Sequence, residues 1–256
     1  MIKGQESIFN FIDSLTNLPH SILLKGEQGS GRTELCEYIA DRFDLRLYDA
    51  TEVISRDFID EVVMSQSRFL LMIDLNKITE KEQNIILKLY EEPGENIYLV
   101  LKSTNDAVPL DTIKSRSWTI TMNKYSTDLL REYINSNDDD LILSICTTPG
   151  QVEIANHTDM KSLDNLCENI ITRVSEAPFF NVMSIVNKIN FKDEYDKFDL
   201  LLFIKMLSKK CLDHRSLDVY KELSTMNSYI WSMNNKSQYF EHFLINVWEI
   251  YNNGRY

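Results

Sequence analysis

A short apolar run, Ile22-Leu23-Leu24, passes through Lys25 into Gly26-Glu27-Gln28-Gly29-Ser30-Gly31-Arg32-Thr33, and a helical pattern from Thr33 to Arg42 follows at once. Strand, glycine-rich turn and helix in that order are the layout of a phosphate-cradling loop, G-x-x-x-x-G-K-[ST], with Arg32 where lysine is expected. Gly26, Gly29 and Gly31 reach backbone conformations closed to other residues, so successive N–H groups can turn onto an anion. The helix N-terminus adds partial positive charge and unpaired donors. Thr33 brings the hydroxyl that ordinarily holds Mg²⁺. Arg32 keeps the charge but spreads it over a plane. It either holds a phosphate in altered geometry or fills the phosphate position and makes the loop a strut.

Further on, Arg68-Phe69-Leu70-Leu71-Met72-Ile73-Asp74 is an apolar run ending in a carboxylate. Such a run suits a strand buried on both faces of a parallel sheet, and α/β folds place ligand chemistry at that strand end. Thr79 and Glu82 form their own capping box for the next helix, which leaves Asp74 free to support Mg²⁺. Leu75 follows, at a position where many such ATPases carry the glutamate that polarises water. Leucine neither accepts a proton nor orients water. Hydrolysis in cis therefore lacks its carboxylate.

The helix Glu80–Glu92 is expected to end at Pro93-Gly94, and a further strand, Asn96–Leu101, to run out at Lys102-Ser103-Thr104-Asn105. Thr104 and Asn105, one strand over from Asp74, suit either a γ-phosphate sensor or a plain turn. Asp111 to Ser117 leads into a last strand, Trp118–Met122. Beyond it come helical segments at Tyr125 to Asn135, Leu141 to Cys146 and Val152 to Asn156, and from Ser162 onward the chain reads as helix. Phe198, Leu201, Leu202, Ile204, Met206 and Leu207 are apolar on most sides, the mark of deep burial or a shared face.

A net charge of −12 argues against broad unaided binding of nucleic acid. Lys81 and Lys88 on the helix after Asp74 leave a local contact open, though exposed helical lysines are commonly just solvated. The four cysteines and four histidines are scattered without C-x-x-C spacing, which implies no metal site and no disulfide framework. No apolar run suits a bilayer, and reduced thiols fit a cytoplasmic protein.

Several stretches together are familiar. Leu18-Pro19-His20-Ser21 before the loop, Leu87-Lys88 with Glu91-Glu92-Pro93, Thr104-Asn105, Ile113-Lys114-Ser115-Arg116-Ser117 and Thr148-Pro149-Gly150-Gln151 keep the order and spacing of sliding-clamp loader subunits of the AAA+ superfamily. The chain most resembles the bacterial DNA polymerase III δ′ subunits. The resemblance implies an α/β P-loop domain with a parallel sheet over residues 1–122, a small helical lid over 123–160 and an all-α collar domain over 161–256. It also implies that Arg116, in the family's S-R-C motif with Ser117 for cysteine, is an arginine finger offered in trans. A surface residue capping its own helix, or one in an internal salt bridge, is the plainer alternative.

Departures from the family cluster on nucleotide handling: Arg32 for lysine, Leu75 for glutamate, Gln151 for the lid arginine, and no four-cysteine zinc module. The nucleotide residues carried over are Gly26, Gly29, Gly31, Arg32, Thr33, Asp74 and Asn105, a degenerate site. The implied subunit requires no cofactor of its own and retains at most weak ATP or ADP binding with Mg²⁺. Its implied partners are clamp-loader ATPase subunits, a clamp-opening subunit, the sliding clamp, and primed DNA through the complex, with no membrane. Two other readings stand beside it: an active ATPase using Arg32 and another carboxylate such as Asp106, and a nucleotide-independent scaffold.

Overall fold

The computed structural model describes residues 2–91, 94, 96–104, 109–176, 199–230 and 236–252; side chains at 173–176, 228–230, 236–239 and 251 are not described. Asn105, Asp106, Glu92, Pro93 and Phe198 lie outside these residues, and so do the expectations attached to them. The chain divides into two compact units, residues 1–129 with 148–150, and residues 130–147 with 151–256.

The first unit is built on five parallel strands: β1 (Ser21–Lys25), β2 (Arg46–Asp49), β3 (Phe69–Asp74), β4 (Ile97–Ser103) and β5 (Trp118–Thr121). Their order across the sheet is β2-β3-β4-β1-β5. Each strand returns through a helix, as parallel pairing requires. In chain order the helices are α1 (Glu6–Ser14), α2 (Arg32–Arg42), α3 (Arg56–Val63), α4 (Glu80–Ile86), α5 (Lys88–Glu91) and α6 (Asp111–Arg116). The period of two sorts side chains onto two cores. Ile22, Leu24, Leu70, Met72 and Val100 pack with Phe9 and Ile12 of α1 and Leu35, Cys36 and Ile39 of α2. Leu23, Leu71, Ile73, Leu99 and Leu101 face Ile59 and Val62 of α3, Ile86 of α4 and Ile113 of α6.

Three features differ from the sequence reading. The helix after Thr79 is interrupted at Leu87, giving α4 and α5, although the Thr79–Glu82 capping box forms as expected. The helix expected from Tyr125 to Asn135 is only α7 (Thr127–Arg131). Most consequential, β4 runs two residues further than its apolar stretch. Lys102 and Ser103 pair with Leu24 and Lys25 of β1, and Lys102 also with Asp74 of β3. Neighbours on both sides supply acceptors and donors, so the ladder outlasts the apolar residues: the Gly26 N–H donates to Ser103 and the Leu75 N–H to Lys102.

The second unit is helical: α8 (Asp139–Ile145), most of α9 (Pro149–Asn156), α10 (Met160–Glu176), α11 (Leu200–Asp213), α12 (Leu217–Ile230) and α13 (Lys236–Asn252). Asp199 caps α11 by accepting the N–H groups of Leu201 and Leu202. Leu163, Cys167 and Ile170 of α10 are buried with Leu202, Phe203, Met206 and Leu207 of α11, and with Phe240, Phe243 and Val247 of α13. Phe203 and Phe240 meet edge to face with centroids 5.2 Å apart. The apolar segment of α11 is thus core.

Candidate functional site: a phosphate loop with a lysine on its threonine

The loop between β1 and α2 is shaped by its glycines for two different reasons. Gly29 and Gly31 sit at φ +79° and +92°, the left-handed region that disfavours side chains. Gly26 is there for lack of room: a Cβ would lie 2.7 Å from both Met122 Cγ and Ser30 Oγ. That short distance also places the Ser30 hydroxyl across the loop, over its first glycine. A Cβ on Gly31 would run into Ile2 Cδ1.

Gly31 is the N-cap of α2 and contributes no side-chain cap. Among the described residues, the N–H groups of Gly29, Gly31, Arg32 and Thr33 have no protein acceptor. Two buried side-chain atoms nearby are also without a partner, Ser30 Oγ and Arg32 Nη1, on residues only 3% and 9% exposed. Burial draws the Arg32 guanidinium below its ordinary pKa, and the Asp74 carboxylate opposes that shift.

Asp74 ends β3 as the sequence predicts. Its Oδ1 accepts the Asn76 N–H at 3.1 Å, and its own N–H donates to Thr51 Oγ1 at 3.0 Å. Thr51 in turn donates to Asp49 Oδ1 at 2.6 Å. Thr104 is held by Asn76, whose side-chain amide meets both its hydroxyl and its N–H.

Leu75, the residue after Asp74, supplies no carboxylate. It is buried at 4% exposure and packs with Ile73 and Leu71 against α3 and α4. Strand alternation turns it to the sheet face opposite Asp74 and α2. It is a core residue, and a longer acid at this position would start out facing away from the loop.

The residue the sequence reading passed over is Lys102. Taken as the first residue of a polar turn, it is instead inside β4, on the face of Val100 and α2, and 8% exposed. Its Nζ donates to Thr33 Oγ1 at 3.2 Å. The available signal was partial: counting by two from Val100 gives the sheet face of this side chain, and the strand order brings that face under the first turn of α2. Mg²⁺ fits these residues poorly. The threonine oxygen that would ligate it already accepts from a cation, and Arg32 lies within electrostatic reach of Asp74. No cluster of three or more metal-ligating side chains occurs among the described residues.

Arg116 lies apart, at the last turn of α6 on the exposed surface. Its Nη1 donates to the Thr112 carbonyl at 3.2 Å, and among the described residues it makes no ion pair. The adjoining Ser117 is fixed from beneath by a hydroxyl triangle with Ser21 of β1 at 3.0 Å and Tyr90 of α5 at 2.9 Å. Gln151 is buried in the second unit, where it accepts from the Thr147 N–H at 2.9 Å and Lys205 Nζ at 2.8 Å. Lys88 is tied to Asp60 at 2.6 Å.

The β2-β3-β4-β1-β5 parallel sheet, with a glycine loop after β1 and an acid ending β3, is the AAA+ P-loop fold. Residues 47–126, the span holding both Asp74 and Arg116, match the family model described as DNA polymerase III, delta subunit. Among solved structures, a DNA polymerase III gamma subunit-related protein of Thermotoga maritima aligns with TM-score 0.54 and 18% identity, over 96% of this chain and 99% of that one. The Thermotoga maritima Holliday junction branch migration motor RuvB aligns with TM-score 0.51 and 16% identity, over 95% and 87%. At such identities the likeness is one of fold. No curated protein matches by sequence. No helix among the described residues is long and apolar enough to cross a membrane.

Proposed function

We propose that the chain is a non-catalytic, stator-like subunit of a DNA polymerase sliding-clamp loader, of the δ′ type, acting in the cytoplasm. It positions neighbouring ATPase subunits and offers Arg116 to the nucleotide of one of them. The observation that carries this reading is the state of Arg116: exposed, tethered only to a carbonyl of its own helix, and free of any carboxylate among the described residues. A guanidinium so held can leave its helix for a γ-phosphate on another subunit at the loss of one weak hydrogen bond. The position after Asp74 offers no carboxylate for water activation, because Leu75 stands there in the core. Trp118, two residues on from Arg116, is exposed and pairs with exposed Phe11 at a centroid distance of 5.7 Å, which suits an anchor for a neighbouring subunit.

The match over residues 47–126 to a polymerase III subunit family supports the same reading. The test is reconstitution with clamp-loader ATPase, clamp-opening and clamp components on primed DNA. Arg116→Ala is expected to leave assembly intact by native mass spectrometry while slowing the partners' clamp- and DNA-stimulated ATPase. Unchanged turnover would overturn the finger assignment.

A further inference from the structure

We propose that the loop after β1 binds a phosphate oxyanion without a divalent cation, the Lys102 ammonium standing where phosphate-loop ATPases hold Mg²⁺. The inference concerns this chain's own loop and does not depend on Arg116.

Three observations converge on an anion. Four amides, of Gly29, Gly31, Arg32 and Thr33, find no protein acceptor among the described residues, and the last three stand at the positive end of an eleven-residue helix. Ser30 Oγ and Arg32 Nη1 are more than nine-tenths buried and without partners, and the Ser30 hydroxyl is turned across the loop over Gly26. Buried polar atoms are almost always satisfied, so a pair of orphans in one phosphate loop marks a missing acceptor. Third, Lys102 is a buried cation under that same helix start, where the helix dipole disfavours positive charge. An oxyanion seated on the loop would reconcile Lys102, Arg32 and the dipole at once.

The place of the metal is closed by the same contacts. Lys102 Nζ is 3.2 Å from Thr33 Oγ1, so a divalent ion ligated by that oxygen would sit against an ammonium. Asp74 has Arg32 within electrostatic reach, and Asp49, held by Thr51, has Lys102 and Lys77. Lysine gives one compact charge and three donors, enough to bridge Thr33 and a phosphate oxygen. Thr33 is itself exposed, so the ligand has access from solvent. Inorganic phosphate, pyrophosphate and a nucleoside diphosphate share this chemistry.

The full chain should be titrated calorimetrically with inorganic phosphate, pyrophosphate and ADP, each in EDTA and again in excess Mg²⁺. At least one probe is expected to bind in EDTA, and excess Mg²⁺, which complexes pyrophosphate and ADP in solution, is expected to leave its affinity unchanged or weaker and never tighter. Tighter ADP than pyrophosphate assigns a nucleotide; the reverse assigns a free oxyanion. Lys102→Met, checked for native circular dichroism, is expected to weaken metal-free binding by about tenfold or more. No binding of any probe in EDTA, binding that appears only with Mg²⁺, or unaltered affinity in folded Lys102→Met would each overturn the proposal. Should that variant not fold, the comparison of EDTA with Mg²⁺ on the unaltered chain decides alone.

Discussion

The Gly150 N–H donates to the Gly29 carbonyl at 3.0 Å, and the preceding Thr148 hydroxyl donates to the Gln28 carbonyl at 2.8 Å. Thr148 and the start of α9 are thereby laced to the phosphate loop, by one side-chain and one backbone hydrogen bond. A Cβ on Gly150 would lie 2.6 Å from Gly29 Cα, an atom that no rotamer change can move. Gly150→Ala should therefore destabilise the chain by about 1–3 kcal/mol through overpacking. A shift of the urea midpoint with unchanged slope is the measurement, and a midpoint equal to wild type would disprove the tight approach.

Arg116→Lys separates charge from shape. Lysine keeps the positive charge but loses the planar fork, so partner ATPase in the reconstituted complex should still fall by about tenfold or more. The exposed position predicts no change in the chain's own melting temperature. Full activity with lysine would mean that charge alone is what the neighbour uses.

Restoring an acid beside Asp74 should fail. Leu75→Glu places a carboxyl in the α3/α4 core with no partner, at a cost above about 2 kcal/mol. Turnover by the isolated variant should stay at background. Brisk hydrolysis by folded Leu75→Glu would show that the strand can turn this residue toward the loop.

In the helical unit, Glu168 accepts from Lys210 at 3.1 Å and His214 at 2.8 Å. Burial pushes its carboxyl up, but the two hydrogen bonds outweigh that and hold it below its ordinary value of 4.5. A lowered folded-state pKa contributes stability above the unfolded value that is lost as pH falls through the folded one. Stability should thus decline from about pH 4.5 downward, and Glu168→Gln should flatten that part of the profile, read by denaturant melts at each pH.

All four cysteines are buried and unpaired. Burial pushes the Cys36 thiol up to about 12, Cys146 and Cys211 to about 11, and Cys167 higher still. The native chain should resist alkylation near pH 8 and take up four labels only when unfolded, since the thiolate is the reacting species. Rapid labelling of Cys36 would show that α2 opens over the sheet.

What could be read from the residues alone was whatever local chemistry dictates. Glycines at 29 and 31 announce left-handed backbone, Thr79 with Glu82 announces a helix start, and an apolar run closed by Asp74 announces a buried parallel strand. Each depends on neighbours within a few positions, and each is present. The motif around Arg116 was legible too, because it is contiguous. Lys102 was not. Its role arises because β4 lies between β3 and β1, which carries position 102 alongside Asp74 and beneath Thr33, residues 28 and 69 positions away. Strand order is set by how helices cover a sheet, and no periodicity within β4 encodes it. The same packing decided that Leu75 belongs to the core: hydrophobic burial chose its face, whereas its place after an acidic strand end suggested a catalytic one.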